Sequence, residues 1–401
     1  MKRTLESWTS CSLLLLAGCL RTPALPPELP SVSKDMPTVE LVHQGAAIND
    51  SIDDRVMKIA VDRRGRVAVL PSMDGSPRIR FVDSSGHFRG GTGRAGPGPG
   101  ELGGPGRIWW IADSLVVYET GRLVDIRYDP DGRLIRESPI RNGLVPLAAS
   151  EVGIVELDYN WRVRGKPPVL TLRSSDGTRS RRVLDQRHPQ LAQALAEVSG
   201  IATTYPWPIV AVRDSVLVLV EPRTPTIWYF TLAGQLMDSV SLGGMSRERG
   251  PMEFAEELDG YARASRGGTV GPDGKRYPGP DFDSIRKVLL ADRPPVAFIH
   301  GANFDGHGRL WIIGPHRDST RAIIVAGRQA LGTITLPCFR VGRFVTVSDR
   351  WIALLCSKGE GADPPFELQL YRIVEPTAPP VLPPAGDPRA TQGGPALPHR
   401  P

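Results

Sequence analysis

Ile59-Ala60-Val61-Asp62-Arg63-Arg64-Gly65-Arg66-Val67-Ala68-Val69-Leu70 decides how this chain folds. Two apolar runs flank a short polar stretch. The Asp carboxylate can fold back onto the turn, and Gly takes the positive φ that other residues resist. The unit therefore reads as a β-hairpin. The same pattern recurs along the chain. Ile79–Phe88 carries it around Asp83-Ser84-Ser85-Gly86, Ile126–Leu134 around Asp129-Pro130-Asp131-Gly132, and Phe304–Trp311 around Asp305-Gly306-His307-Gly308.

Two hairpins make a four-stranded sheet, and the sheets recur at roughly 40–50 residues, the period of propeller blades. Blades are expected at 56–95, 107–140, 144–185, 208–243 and 296–337. The last stretch, 341–374, supplies three strands: Arg343–Val347, Trp351–Cys356 and Phe366–Ile373. Thr38–Val42 is expected to supply the fourth, closing the ring and removing its open edge. The reading is an all-β, six-bladed β-propeller over residues 38–374. A two-sheet sandwich or two smaller β domains are the competing architectures.

Composition agrees. Gly 43 and Pro 39 suit many short strands joined by tight turns, and 40% apolar residues suffice for a large core. The formal charge of +6 becomes +5 once Lys2, Arg3 and Glu6 leave with a leader (2 − 1 = 1 removed). With no polybasic run interleaved with aromatics, nucleic acid is not an expected partner.

The N-terminus reads as an address. Met1-Lys2-Arg3 is basic, Leu13–Leu16 is apolar, and Ala17-Gly18-Cys19 ends the leader with small residues. Leu16-Ala17-Gly18-Cys19 resembles the bacterial lipobox, which implies diacylglycerol on the Cys19 thiol after removal of residues 1–18 as a lipoprotein signal peptide. Glu6 departs from a purely basic start. Two or three acyl chains anchor stably where one is marginal. Leu20, rather than Asp, favours the outer membrane, facing the periplasm or the cell surface. Residues 19–37 are a Pro-rich tether, and 375–401 a Pro/Gly-rich tail expected to be disordered.

Gly93-Arg94-Ala95-Gly96-Pro97-Gly98-Pro99-Gly100-Glu101-Leu102 resembles the G-x-x-G-x-GPGE signature of six-bladed β-propeller lipoproteins, relatives of NHL-repeat propellers. The resemblance implies fold and an envelope location; that family has no defined biochemical activity to transfer. The chain departs from it in the irregular turns of blade three and in long insertions.

Those insertions, 186–207 and 244–295, join one blade to the next. With 357–365 and the Gly93–Leu102 loop, they are expected on one face, opposite the tight turns. Leu191–Val198, Met252–Leu258 and Phe282–Leu290 are candidate helices. Functional residues gather on loops held by rigid scaffolds. Arg94, Glu101, Tyr261, Arg263, Tyr277 and Arg286 are the candidate binding residues, because Arg and aromatics are favoured at contact surfaces. Glu101 is also expected to accept hydrogen bonds from Arg94 or nearby backbone.

Other motifs point to structure. Gly91, Gly93 and Gly96 fit G-x-G-x-x-G, but Pro97, Pro99 and Pro105 preclude the helix a dinucleotide needs. His300, Asp305, His307 and His316 are close in sequence without metal-ligand spacing. Cys338 and Cys356 are the candidate disulfide. No catalytic set, metal ligand or cofactor motif is read. The leading function is a lipid-anchored envelope propeller that binds an envelope protein, peptide or glycan. The alternative is a propeller hydrolase or lyase with a metal in the central channel. Against it, the innermost strands offer mainly apolar residues, Arg213 and Asn303, and there is no G-x-S-x-G elbow.

Overall fold

The computed structural model describes residues 36–45, 56–71, 79–158, 167–195, 208–221, 226–242, 262, 269–270, 276–277, 281–283, 286–287, 301–316, 319–327, 329–338, 345–357 and 366–376. Six four-stranded antiparallel sheets form a six-bladed β-propeller. Blade one holds β2 (Val56–Val61), β3 (Val67–Pro71), β4 (Ile79–Val82) and β5 (Phe88–Thr92). Blade two holds β6 (Pro105–Ile111), β7 (Ser114–Glu119), β8 (Val124–Tyr128) and β9 (Leu134–Pro139). Blade three holds β10 (Leu144–Ser150), β11 (Gly153–Asp158), β12 (Leu170–Arg173) and β13 (Ser180–Leu184). Blade four holds β14 (Ile209–Arg213), β15 (Val216–Glu221), β16 (Thr226–Thr231) and β17 (Leu236–Ser241). Blade five holds β20 (Gly301–Phe304), β21 (Leu310–His316), β22 (Ser319–Ala326) and β23 (Gln329–Leu336).

Blade six is ordered β24 (Val345–Ser348), β25 (Trp351–Ser357), β26 (Phe366–Val374) and then β1 (Thr38–Gly45), from the N-terminal end of the domain. Thr38 opposes Val374 and Gly45 opposes Leu368. The first strands of the blades touch in sequence, β2 to β6, β10, β14, β20, β24 and back to β2, so the ring is closed around an axis.

One turn design explains why the hairpins form. In Asp62–Arg66, the Asp62 amide donates to the Arg66 carbonyl and the Gly65 amide to the Asp62 carbonyl. Asp62 Oδ1 accepts from the Arg64 and Arg66 amides at 2.9 and 2.8 Å, and Oδ2 from the Arg66 guanidinium. The turns at Asp83, Asp129 and Asp305 repeat both backbone bonds and the carboxylate cap. Blades three and four reach the same geometry with hydroxyls. Ser174 Oγ accepts from the Arg179 amide, and Thr231 Oγ1 from the Gln235 amide. The irregularity of blade three is thus one extra residue and a Ser in the Asp position; the turn survives because any side-chain oxygen at that position can cap it.

Side chains from one blade cross into the turns of the next. Gly65 has φ +80°, and a Cβ there would sit 2.5 Å from Trp351 of blade six. Arg213 Nη2 donates to the Gly306 carbonyl at 2.8 Å, and the Gly306 amide to the Asp349 carbonyl at 3.0 Å. Arg63 pairs with Asp113 of blade two at 2.6 Å. Apolar clusters fill five of the six seams. The seam between blades two and three differs: among the described residues its buried apolar cluster holds Ile111, Val116 and Ile154, with Trp109 and Ala149 packed against it.

Cys338, in the connector after β23, and Cys356 of β25 form a disulfide with Cα atoms 5.2 Å apart. It staples the junction of blades five and six. Helix α1 spans Pro189–Leu195, beginning before the expected Leu191 because Pro at a first turn supplies a ready-made helical φ. Its Leu191 and Ala194 are buried in the blade three–four cluster, so the start of the first insertion is core rather than free loop. Glu375, expected in the disordered tail, is held by Arg309 at 2.6 and 2.8 Å. Residues 377–401 and the leader and tether before Met36 lie outside the described residues.

Candidate functional site

The signature loop runs from the outer strand of blade one, β5, to the inner strand of blade two, β6. A bridge joins Ala95 to Leu102, and Leu102 is fully buried beneath it. Glu101 is turned inward: its carboxylate accepts from the Gly98 amide at 2.7 Å and from Arg94 Nε. Those donors, the Gly98 amide first, hold it below the usual carboxylate range. Arg122 Nη2 donates to the Glu101 carbonyl at 2.9 Å and to Glu137 at 2.7 Å, and Glu137 accepts from the Gly100 amide at 2.7 Å. Tyr128 donates to the Gly100 carbonyl at 2.8 Å. Glu119, fully buried, takes the Gly103 and Gly121 amides. The loop is a polar clasp between blades, and Glu101 is one of its fasteners. Arg94, 84% exposed, is its outward charge.

Tyr261 and Arg263 lie outside the described residues. Tyr277 lies in β19 (Arg276–Tyr277), paired with β18 (Thr269–Val270). Arg286 is helical and exposed, as are Asp283 and Lys287 beside it; 252–258 lies outside the described residues.

His300 is outside the described residues, and His316 ends β21, far along that strand from the Asp305 turn. Asp305 is buried and bound to Arg309 Nε at 2.7 Å and Trp311 Nε1 at 2.9 Å, while His307 faces Glu375 at 3.2 Å. Among the described residues, no three His, Cys, Asp or Glu side chains gather as metal ligands. Arg213 is engaged with Gly306 and Asp214, and Asn303 lies half-buried on β20.

Sequence reasoning missed a cleft of about 360 Å³ at the root of the first insertion, where the end of β13 meets the β16–β17 turn. Arg182, Arg187, His188, Gly234 and Gln235 line it. His188 bridges the blades, its Nε2 lying 2.9 Å from the Gly234 carbonyl. Buried Asp185 is pulled down to about 2, chiefly by hydrogen bonds from the Arg187 side chain and amide. Arg182 Nη1 and Arg187 Nη2 lie 3.7 and 3.0 Å from Asp185 Oδ2, and the two arginine side chains are 64% and 77% exposed. Arg182, on β13, and Arg187, three residues past its end, form one side of the cleft; Gly234 and Gln235 of blade four form the other.

No family model matches this chain, and no curated protein matches it. Several solved structures do. An exported protein of Bacteroides fragilis is 12% identical, over 86% of this chain and 98% of that one, with a TM-score of 0.47. A gluconolactonase of Xanthomonas campestris is 12% identical, over 88% and 97%, with a TM-score of 0.43. An inactive virginiamycin B lyase of Staphylococcus aureus, bound to quinupristin, is 12% identical, over 83% and 99%, with a TM-score of 0.39. At such identities no functional residue transfers.

Proposed function

We propose that this chain is a lipid-anchored propeller of the cell envelope that binds an envelope protein, peptide or glycan. The observation that carries the reading is the contrast between the two kinds of blade connection. The tight turns are consumed by capping and inter-blade bonds. At the root of the first insertion Arg182 and Arg187 pair with buried Asp185, yet their side chains stay largely exposed beside a cleft. Arg in such a position suits acidic groups of a partner. The anchor reading rests on Leu16–Cys19.

Cys19→Ala is expected to leave the protein unlipidated and to release it from the detergent phase. Unchanged partitioning would overturn the anchor. Partner binding is tested separately, by crosslinking in intact envelopes. The double variant Arg182→Ala/Arg187→Ala, and a second variant with 244–295 replaced by a short Gly/Ser linker, are expected to stay folded and exported. Each is expected to recover less than about a tenth of the wild-type adduct, the range expected when residues worth 1.4 kcal/mol or more are lost. Full recovery in both, with unchanged circular dichroism, would place the contact surface elsewhere.

A further inference from the structure

The seam between blades two and three is built unlike the other five. Its small apolar cluster is supplemented by three charged side chains that sequence distance keeps apart. Asp125 comes from β8 of blade two, Glu156 from β11 and Arg173 from β12 of blade three. All three are buried, with exposures of 6%, 0% and 8%. Arg173 Nε donates to Glu156 Oε1 at 2.8 Å, and Arg173 Nη2 donates to Asp125 Oδ2.

Nε and Nη2 lie on the same edge of a guanidinium. That edge ordinarily takes both oxygens of one carboxylate. Here it takes one oxygen from each of two, so the carboxylates stand side by side in the buried interior. The remaining oxygens, Asp125 Oδ1 and Glu156 Oε2, have no hydrogen-bond partner among the described residues. Two adjacent carboxylates with a single cation between them do not both ionise readily.

We propose that Asp125 and Glu156 hold one proton between them on the edge of Arg173, making the blade two–blade three seam a pH-sensitive latch. The surroundings support this. Tyr118 of β7 faces the group but spends its hydroxyl on the Leu144 carbonyl at 2.8 Å. Arg107 of β6 donates to the Leu147 carbonyl at 3.1 Å. Arg127 of β8 and Arg136 of β9 both donate to the Ser175 carbonyl at 2.8 Å. Arg127 and Arg136 temper the Asp125 charge from a distance. Burial outweighs the guanidinium attraction and raises both carboxyls above their ordinary values.

The sign follows from that direction. Unfolded, both groups titrate in the ordinary carboxylate range; in the ring they hold the proton to higher pH. The seam is therefore strongest below the ordinary range and weakens as pH rises through the raised values. The position gives this a consequence for the whole ring. The disulfide and the N-terminal strand secure blade six and its junction with blade five, on the opposite side. Loosening by pH is thus directed to one seam of a ring held shut elsewhere.

The test uses the full chain. Carboxyl-carbon NMR on wild type should show one of the two groups titrating clearly above the usual range; two ordinary titrations overturn the proposal. Glu156→Gln keeps the shape and replaces the proton with an amide. It should raise Tm at pH 8 by roughly 2–4 °C and leave Tm at pH 5 nearly unchanged. Asp125→Asn is the second variant and should behave likewise. Hydrogen exchange at pH 8 should slow in β8, β11 and β12 of either variant and stay as in wild type in β21–β25. Parallel pH profiles, or lower Tm at pH 8 in both variants, would mean that both carboxylates are ionised and merely structural.

Discussion

Deleting residues 20–45 is expected to open the ring, whereas deleting 20–35 leaves it intact. The first deletion removes β1, whose partners are more than 300 residues away in the chain. It strips β26 of its outer ladder and uncovers a row of unpaired amides and carbonyls, a template for pairing between molecules. It also removes Val39 and Met36 from the cluster built on Trp311, Tyr371 and Ile373. A further link is lost at the neighbouring blade. His43 seats against the Gly86 turn of blade one so closely that a Cβ at Gly86 would lie 2.0 Å from its ring. The longer deletion should lower Tm by on the order of 10 °C and scatter light on heating, measured with Cys19→Ala in both so that lipid plays no part. Equal melting of the two truncations would show that β26 does not need its partner.

Asp305→Ala should be the most damaging single substitution in the turns. The carboxylate is buried and accepts four bonds: the His307 and Arg309 amides, Arg309 Nε and Trp311 Nε1. Its removal leaves a buried guanidinium and a buried indole N–H without that partner. Glu375 still holds the far side of Arg309, which limits the loss but does not cap the turn. Breaking one partner of a buried pair costs about 3–5 kcal/mol. Asp131→Ala, at an exposed position within the Asp129 turn, should change stability by less than about 0.5 kcal/mol. Denaturant titration of the two variants checks the contrast. A small loss for Asp305→Ala would mean that the backbone bonds of the turn suffice without the cap.

Much of the fold was legible because its signals are local. An Asp with Gly three residues later marks a hairpin within a dozen residues, and four such marks fix the repeat. The missing strand of the last blade could be found by elimination, since only Thr38–Val42 remained. The blade limits agree with the structure to within a few residues for the same reason. The hydroxyl-capped turns at Ser174 and Thr231 were less legible, because Ser and Thr occur in many settings where they cap nothing.

The candidate site was legible only in part. Glu101 and Arg94 are seven residues apart, so their bond could be anticipated from the signature loop itself. That the rest of the loop is clasped by Tyr128, Arg122 and Glu137 could not, since those belong to a different blade. By itself the amino-acid sequence determined the hairpins, their repeat, the number of blades and the strand that closes them, all properties of neighbouring residues and chain periodicity. That Asp125 meets Glu156 and Arg173, and that Gly234 and Gln235 face Arg182 and Arg187 across a cleft, is set by the folded ring. Each of these depends on how one blade faces the next. The pleat sends alternate side chains to opposite faces of a sheet, but what those faces meet is set by the closure of the ring.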